Sequence, residues 1–240
     1  MNDKIEQLNQ EWQDLSPEEV LTAAALEFSG SVTLASSLGS EDQVLTDMMA
    51  KSGSDADVFV LDTGRLNAET QDVLSASQSK YDLRYRVFKP ETGAVEAYVA
   101  AHGLDAFYDS IELRKKCCGI RKVVPLNNAL TGYKAWVTGI RRAQSVTRME
   151  TPLVEWDEAH QMVKINPLYL WSKKQVWSYI GENEVPYNAL HDMGYASIGC
   201  EPCTRAVKAG EDERAGRWWW EAPEHKECGL HVSTKGDGKN

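Results

Sequence analysis

The five cysteines of this chain fall into three groups that suggest different chemistry. Cys117 and Cys118 are adjacent, Cys200 and Cys203 form a CxxC pair, and Cys228 stands alone near the C-terminus. Iron–sulfur clusters need thiolates that converge on one compact centre, and the two close pairs can supply four. The fifth cysteine, on a polar tail, suggests a nucleophile. The grouping therefore predicts a redox enzyme with an iron–sulfur cluster and a separate reactive thiol.

Zinc is the main alternative for the four thiols, because it also accepts four thiolates. Zinc sites usually draw on two CxxC-like knuckles, however, and adjacent cysteines suit them poorly. Buried free cysteine is the second alternative, but charged residues at 114–116 and 121–122 flank the adjacent pair. If this segment is helical, Lys122 lies four residues after Cys118 on the same face. Its ammonium group could then sit between a cluster and an anionic substrate.

Strand and helix patterns alternate along the chain and predict an α/β fold with a mainly parallel sheet flanked by helices. Strands are predicted at residues 31–38, 57–63, 83–88, 133–140 and 162–168. Helices are predicted at residues 16–28, 40–51, 68–80, 95–102, 110–124 and 172–182, the second of them with Ser40 as N-cap.

The composition changes after the CxxC pair and indicates two parts. Residues 1–203 are predicted to form a nucleotide-binding α/β domain that carries the cysteine pairs. Residues 204–240 are mostly polar apart from three consecutive tryptophans at 218–220. They are predicted to form a flexible C-terminal segment, anchored by the tryptophans, that carries Cys228.

Three predicted loops carry glycine or cationic groups where strands end, at residues 36–42, 61–65 and 139–145. Ligands bind at the carboxyl ends of the strands in open parallel sheets, so we expect these loops to line one crevice. The first loop precedes a helix, whose N-terminus can receive a phosphate or sulfate. It is not a P-loop, because the GxxxxGK[ST] pattern is absent.

Charge and hydropathy narrow the class of protein. The 240 residues carry a formal net charge of −10, which disfavours nucleic acid as the main ligand. Local concentrations of arginine and lysine suit a small anionic ligand instead. No apolar run approaches the roughly 20 residues that span a bilayer, and the N-terminus lacks the apolar region of a secretory signal. We therefore expect a cytoplasmic protein that does not bind membranes.

Together the motifs resemble assimilatory adenylyl-sulfate (APS) reductases. The resemblance rests on residues 116–126, 199–205, 213–220 and 227–231 and on the loops at 36–42 and 61–65, and it covers about residues 20–231. It implies an adenine nucleotide alpha hydrolase-like fold. It also implies conversion of adenosine 5'-phosphosulfate to sulfite and AMP, with thioredoxin as the reductant.

The resemblance further implies a set of site residues. The family's [4Fe-4S] cluster would be held by Cys117, Cys118, Cys200 and Cys203. The phosphosulfate would contact Lys122, Arg214 and Arg217. The nucleotide would be held by the first two loops, with Ser36, Gly39, Leu61 and Gly64, together with Arg141 or Arg142.

The residues also support the reaction independently. A thiolate on Cys228 can attack the electrophilic sulfur, which releases AMP and leaves S-sulfocysteine. His225, Lys226 and His231 lie close in sequence and could lower the pKa of that thiol. No second free cysteine remains if four bind a cluster, so an external thiol must release the sulfite. A thiol relay delivers both electrons, and the cluster is therefore interpreted as structural and electrostatic.

The sequence is compatible with a different substrate, with two other classes of protein and with self-association. The 3'-phosphorylated nucleotide PAPS could be reduced instead of APS or alongside it. A tRNA-thiolation enzyme can share the fold and carry a cluster, but the loop at 36–42 departs from its SGGxDS pattern. A redox sensor would use Cys228 without needing a nucleotide crevice. A homo-oligomer is also possible.

Overall fold

The structure, a computed structural model, describes residues 2–53 and 57–222, without the side chain of Val146. Cys228, His225, Lys226 and His231 lie outside the described residues. The helices are α1 Asn2–Trp12, α2 Pro17–Glu27, α3 Ser40–Lys51, α4 Ala68–Lys80, α5 Thr92–His102, α6 Ile111–Cys118, α7 Val124–Leu130 and α8 Lys173–Glu182. The strands are β1 Val32–Ser36, β2 Asp57–Leu61, β3 Tyr85–Phe88, β4 Ala135–Val137, β5 Val154–Asp157 and β6 Met162–Ile165.

The six strands form one sheet in the order β3-β2-β1-β4-β6-β5. All neighbouring strands are parallel except β5, which pairs antiparallel with β6 at the edge. The predicted α/β fold with a mainly parallel sheet is therefore confirmed, although β5 was not predicted. The chain leaves β1 toward β2 and β3 on one side, whereas β4 and β6 lie on the other. A ligand crevice is expected where the strand order reverses, at the carboxyl ends of β1 and β4.

Side chains from both faces of the sheet are buried under helices. One core cluster joins the sheet to α1, α2, α3 and α8 through residues such as Leu8, Leu21, Leu45 and Val176. On the opposite face, α7 packs against Phe59 and Trp136. Strands buried on both faces read as continuous apolar runs, which explains why β1, β2 and β6 could be recognised in the sequence.

Helix starts follow local sequence except at α3. Ser16 and Glu19 form a complete capping box at α2, and Ser172 and Gln175 form another at α8. The prediction that Ser40 caps α3 is wrong, because Gly39 occupies the N-cap and makes no side-chain capping bond. The first amide groups of this 12-residue helix therefore receive no hydrogen bond from a side chain at the N-cap. Amide groups at such a helix N-terminus can bind an anion.

The predicted single helix over residues 110–124 is more complex in the structure. Helix α6 ends at Cys118, and a π-helical turn spans Gly119–Val123 before α7 continues to Leu130. Such wide turns within helices are frequent at functional sites. None of the helices in the described part of the chain has the length and hydropathy needed to cross a bilayer.

Candidate active site

A cavity of about 210 Å³ lies at the carboxyl ends of β1, β2 and β4, where the strand order reverses. Its lining includes six residues from the predicted substrate site, namely Ser36, Gly39, Leu61, Lys122, Arg214 and Arg217. The structure thus brings residues from four separate segments to one crevice. Gly64, Arg141 and Arg142 are not among its lining residues in the described part of the chain.

The loop between β1 and α3 is held by its own hydrogen bonds. The amide and hydroxyl groups of Ser37 donate to the Asp42 carboxylate at 2.7 and 2.5 Å, and the amide of Leu38 donates to Ser36 Oγ at 3.1 Å. Leu38 is buried and adopts a φ of +61°. Such a conformation is strained for leucine and persists only where its surroundings enforce it. The loop is therefore fixed in shape before a ligand arrives.

Gly139, after β4, allows the backbone to approach the start of α3 closely. A methyl group there would overlap the Asp42 carboxylate and come within 2.8 Å of Cβ of Glu41. Burial raises the pKa of Asp42 from its ordinary value of 3.8 to about 6. The negative charge of Glu41 acts in the same direction, and hydrogen bonds from Ser37 and Gly139 oppose it. The polar part of the cavity lining therefore contains a carboxyl group, that of Asp42, with a pKa of about 6.

Arg141 and Arg142, which follow β4, lie outside the cavity lining, and Arg141 contacts two residues of that lining. Arg141 is buried, donates to Glu41 at 2.8 Å and contacts Glu213 at 3.3 Å. Arg142 points elsewhere, because it donates to the Thr151 carbonyl at 2.7 Å and lies over the ring of Tyr169. In this structure Arg141 holds two acidic residues of the lining in position, and neither arginine lines the cavity.

One wall of the cavity is apolar. It is formed by Phe59, Leu61, Leu126 and Trp136, from β2, β4 and α7. Flat apolar surface of this kind suits the faces of an aromatic ring system. Cationic side chains of Lys122, Arg148, Arg214 and Arg217 lie elsewhere in the lining. The arrangement can accommodate a ligand with an aromatic end and an anionic end.

A second, smaller cavity is lined by all four cysteines of the two pairs, Cys117, Cys118, Cys200 and Cys203. Cys118, Cys200 and Cys203 pack in one buried cluster with Phe107 and Trp218, and main-chain hydrogen bonds hold the CxxC segment in place. The amide of Glu201 donates to the Arg65 carbonyl at 2.8 Å, and the amide of Trp218 donates to the Cys203 carbonyl at 3.1 Å. Cys117 is half-buried and the other three are buried, and none of the four forms a disulfide within the described residues. The predicted convergence of the two pairs is thus seen in the fold.

Cationic residues surround the cysteine cavity, whose lining also includes Arg65, Arg114, Arg121 and Lys122. The buried Arg121 donates to the Thr63 carbonyl at 2.7 Å. The buried Arg114 forms a two-point ion pair with Glu221 at 2.9 and 2.6 Å. Burial alone would lower the pKa of Arg114, but the Glu221 carboxylate raises it. A dense positive field at this site would stabilise thiolates and any negatively charged group bound by them.

The individual thiols respond differently to these surroundings. Burial raises the pKa of Cys117, and burial together with the neighbouring Cys200 raises the pKa of Cys203 to about 12. Burial also acts against the thiolate of Cys200, but Lys122 and a hydrogen bond with Thr63 outweigh it and lower that pKa. Within the described residues, no three or more His, Cys, Asp or Glu side chains are close enough to hold a single metal ion.

The C-terminal residues that are described pack against the cysteine cavity. Trp218 is buried beside three of the cysteines, with a φ of +40°. The guanidinium groups of Arg114 and Arg217 lie 5.0 and 4.7 Å from the centroid of its ring. Gly199 makes room for Arg217, because a Cβ atom there would overlap the guanidinium group. Trp218 is therefore packed against the cysteine region, whereas Trp219 is exposed.

Lys122 is the residue that the two cavities share among the described lining residues. It belongs to the π-helical turn that follows the adjacent cysteines, four positions after Cys118. The wider turn alters the register of a regular helix, yet Lys122 still faces the cysteines and lines the larger cavity. A cation at this junction is the geometric link between the two sites.

Sequence reasoning missed Arg148 and His191 of the lining, and it gave no role to Gln144 and Glu213, although these lie in the predicted loop at 139–145 and in the motif at 213–220. Gln144 and Arg148 follow β4 and are hydrogen bonded to each other at 2.5 Å. Their position after a strand end was a usable signal. His191 and Glu213 lie far from any strand end, and only the tertiary structure brings them to the cavity.

Comparison with known proteins relates the chain to one family. The family model for the phosphoadenosine phosphosulfate reductase domain matches residues 31–206. The adenosine 5'-phosphosulfate reductase of Allochromatium vinosum is 52% identical over 201 residues, covering 84% of this chain and 78% of that protein. The protein of the same name from Burkholderia cepacia is 52% identical over 216 residues, covering 90% and 86%.

Solved structures give a consistent result. The phosphoadenylyl-sulfate reductase of Candida auris, in a phosphate complex, superimposes with a TM-score of 0.74 at 31% identity. The match covers 86% of this chain and 98% of that one. The FMN adenylyltransferase of Candida glabrata matches with a TM-score of 0.54 at 15% identity, a likeness of fold alone.

Proposed function

The chain belongs to the phosphoadenosine phosphosulfate reductase family, and we propose that it reduces adenosine 5'-phosphosulfate to sulfite and AMP in sulfate assimilation. The observation that carries the proposal is the junction of the two cavities at Lys122. A nucleotide-sized cavity with an apolar wall meets a cation-rich cluster of four cysteines there. This arrangement suits an adenine nucleotide whose anionic end carries the group to be transferred.

The lining suggests how the substrate binds. The adenine ring packs on the wall formed by Phe59, Leu126 and Trp136, where flat apolar surface stabilises an aromatic ring. The phosphosulfate extends toward Lys122, Arg214 and Arg217, whose charges offset those of the ligand. Amide groups at the start of α3 favour negative charge in the same way. The loops with Ser36, Gly39 and Leu61 close around the nucleotide, and Arg141 positions Glu41 and Glu213.

Cys228 acts as the nucleophile in this proposal. Its thiolate attacks the sulfur of the substrate, the bond between that sulfur and the phosphate oxygen breaks, and AMP leaves. Cys228 then carries the sulfonate as S-sulfocysteine. The cations of the cavity stabilise the charge that develops on the leaving phosphate.

A dithiol protein such as thioredoxin completes the reaction. One of its thiolates attacks the sulfur of Cys228, sulfite leaves with the electron pair of the broken bond, and a mixed disulfide remains. The second thiol of thioredoxin resolves that disulfide and regenerates Cys228. The two electrons therefore come from thioredoxin, and the four cysteines of the pairs need not change oxidation state.

We propose that Cys117, Cys118, Cys200 and Cys203 hold a [4Fe-4S] cluster. The four thiols line one small cavity. Zinc sites with four thiolates usually use two CxxC-like pairs, and the adjacent Cys117 and Cys118 depart from that pattern. When bound, the cluster supplies a fixed negatively charged centre. Arg121 and Lys122 would offset that charge, since the charge of Arg114 is already paired with Glu221.

The remaining alternatives differ in substrate. PAPS reduction alone or alongside APS is the close variant, and the structural relative from Candida auris is named for PAPS. APS is favoured because the two sequence relatives at 52% identity are named for it. The tRNA-thiolation alternative is not favoured, since the loop at 36–42 lacks the SGGxDS pattern. A redox sensor that used Cys228 would not need the nucleotide cavity.

We also propose that the enzyme works in the cytoplasm. The four cysteines proposed to hold the cluster must stay reduced, and thiols stay reduced in the cytosol. In the proposed division, residues 1–203 carry the cysteine cavity and most of the nucleotide cavity. Residues 204–240 carry the nucleophile and complete the nucleotide cavity with Glu213, Arg214, Arg217 and Trp218. The partners are then APS, AMP and thioredoxin, with a homo-oligomer as a further possibility.

The function is tested with anaerobically purified protein and APS alone. We expect one equivalent of AMP per chain and a mass increase of one sulfonate on Cys228, which thioredoxin reverses with release of sulfite. Parallel rates with PAPS decide the substrate. Sulfite formation by a Cys228→Ser variant would contradict the mechanism.

A further inference from the structure

The imidazole of His191 is a half-buried group of the larger cavity to which the proposed reaction gives no role. His191 ends a short 3-10 turn, Ala189–His191, and its ring is among those that line the cavity. Its Nδ1 lies 2.7 Å from the carbonyl oxygen of Tyr195. Since a carbonyl oxygen only accepts, Nδ1 must carry the proton and donate. In the neutral ring, Nε2 is therefore a hydrogen-bond acceptor.

Nε2 of His191 is buried and accepts no hydrogen bond from any described residue. A buried acceptor without a donor is costly, and native structures retain such atoms mainly where they have a function. The ring is also held firmly in place. It packs edge-to-face on Trp177 with 5.1 Å between centroids, while Asn188 caps the turn and bonds Thr70 of the lining at 2.9 Å.

The surroundings of His191 favour the neutral ring. Burial lowers its pKa and outweighs the Tyr195 carbonyl, Glu41 and Asp192, which act in the opposite direction. Lys173 adds to the lowering. A neutral imidazole attracts neither phosphate nor sulfate by charge, and neither of those groups has a proton to donate at neutral pH. His191 is thus suited to a different part of the ligand than Lys122 or Arg217.

We propose that His191 binds the nucleoside part of the substrate, with Nε2 accepting a hydrogen bond from a hydroxyl or amino group. The inference rests on the proposed function, because it takes an adenine nucleotide as the ligand. That nucleoside has three such donors, the 2'-hydroxyl, the 3'-hydroxyl and the exocyclic amine. If the donor is the 3'-hydroxyl, His191 also disfavours PAPS, whose 3'-phosphate cannot donate at neutral pH.

The test is a double-mutant cycle between the protein and the ligand. Calorimetry on the full-length holoprotein measures binding of AMP, 2'-deoxy-AMP, 3'-deoxy-AMP and purine riboside 5'-monophosphate, each analogue lacking one donor. We expect one analogue to bind wild type about tenfold more weakly than AMP, as the loss of one hydrogen bond implies. In His191→Phe, AMP itself should bind about tenfold more weakly, and the penalty for that analogue should vanish.

His102→Phe is the matched control, because it makes the same substitution at an exposed histidine on α5 that does not line the cavity. It should leave all four affinities unchanged. If the penalties of all three analogues are the same in His191→Phe as in wild type, the inference is wrong although the proposed function stands. If AMP does not bind wild type at all, the proposed function fails and the inference fails with it.

If His191→Phe does not fold, a spectroscopic measurement on the wild-type protein tests the same hydrogen bond. In protein labelled with ¹⁵N at histidine, the resonance of the unprotonated His191 nitrogen should move upfield when AMP is added. The analogue that lacks the relevant donor should not produce this shift. His191→Gln assigns the resonance by removing it. Absence of any shift with AMP would overturn the proposal.

Discussion

The nucleotide cavity and the cysteine cavity lie side by side, yet they are built in different ways. The first is formed largely by loops that follow β1, β2 and β4, so that the sheet itself brings them to one edge. The second joins α6 to segments near residues 200 and 218 through contacts distant in sequence. The parallel sheet thus supplies the binding crevice. The proposed chemistry depends in addition on the cation-lined cysteine cavity, which is assembled from other segments.

Charge is also distributed differently in the two regions. Around the nucleotide cavity, Arg141 is paired with Glu41 and Glu213, and one wall is apolar. Around the cysteines, Arg65, Arg114, Arg121 and Lys122 line one small cavity, and Glu221 is the acidic partner of Arg114. Cations therefore line both cavities, but in the nucleotide region they share the lining with apolar and acidic residues, whereas the charged residues lining the cysteine cavity are all cationic in the described part of the chain.

The largest expected effect separates the four clustered thiols from the thiol of the tail. Cys200→Ser should abolish sulfite formation and reduce the iron content from about four per chain to below about one, since the cluster loses a ligand. Cys228→Ser should also abolish sulfite formation but retain its iron. Iron analysis of anaerobically purified protein makes the distinction. Full iron in Cys200→Ser, or iron loss in Cys228→Ser, would contradict the division between the two kinds of cysteine.

The second expected effect concerns the buried ion pair of the cysteine region. Glu221→Gln removes the carboxylate that pairs with the buried guanidinium of Arg114, and breaking a buried ion pair typically costs about 3–5 kcal/mol of stability. Anaerobic urea unfolding measures it. Glu211→Gln is the matched control, because Glu211 pairs with Arg205 at the surface, and it should leave the midpoint nearly unchanged. Similar midpoints for the two variants would show that this pair does not anchor the C-terminal segment.

The third and smallest effect concerns pH and the nucleotide region. Because Asp42 has a pKa of about 6 in the folded protein against an ordinary value of 3.8, the folded state binds its proton more tightly. The contribution of Asp42 to stability is therefore greatest at low pH and is lost as the pH rises through about 6. Relative to wild type, Asp42→Asn should gain roughly 1–2 kcal/mol in free energy of unfolding between pH 4.5 and 7. Urea unfolding at several pH values measures this, and a pH-independent difference would contradict it.

Much of the sheet and of the crevice could be predicted from the sequence, because both follow from local patterns. The strand at β2 and the helix over residues 68–80 are signalled by residues within them, and parallel order then gathers the loops. The short edge strand β5 could not be recognised, since it is held by pairing with β6. The start of α3 at Gly39 also departed from the usual preference for a serine cap.

The site residues divide along the same line. The convergence of the two cysteine pairs could be predicted from their types and spacing. The ion pair between Arg114 and Glu221, 107 positions apart, could not, because nothing local marks either residue as buried. His191 was missed for the same reason. The sequence could not decide between Arg141 and Arg142, and in the structure Arg141 takes the buried position beside Glu41. Tertiary packing decides between such candidates.

The most direct test of the account is the affinity and turnover of a Lys122→Met variant, because Lys122 lines both cavities. Methionine retains most of the side-chain length but removes the charge. We expect kcat/KM for adenosine 5'-phosphosulfate to fall about 100-fold, as loss of one stabilising charge at a developing anion implies. The Kd for AMP should rise by a clearly smaller factor, because AMP lacks the sulfonate whose charge Lys122 also offsets in the proposed binding mode. Unchanged kinetics, or an equal loss of AMP affinity and turnover, would contradict the claim that Lys122 joins the two regions.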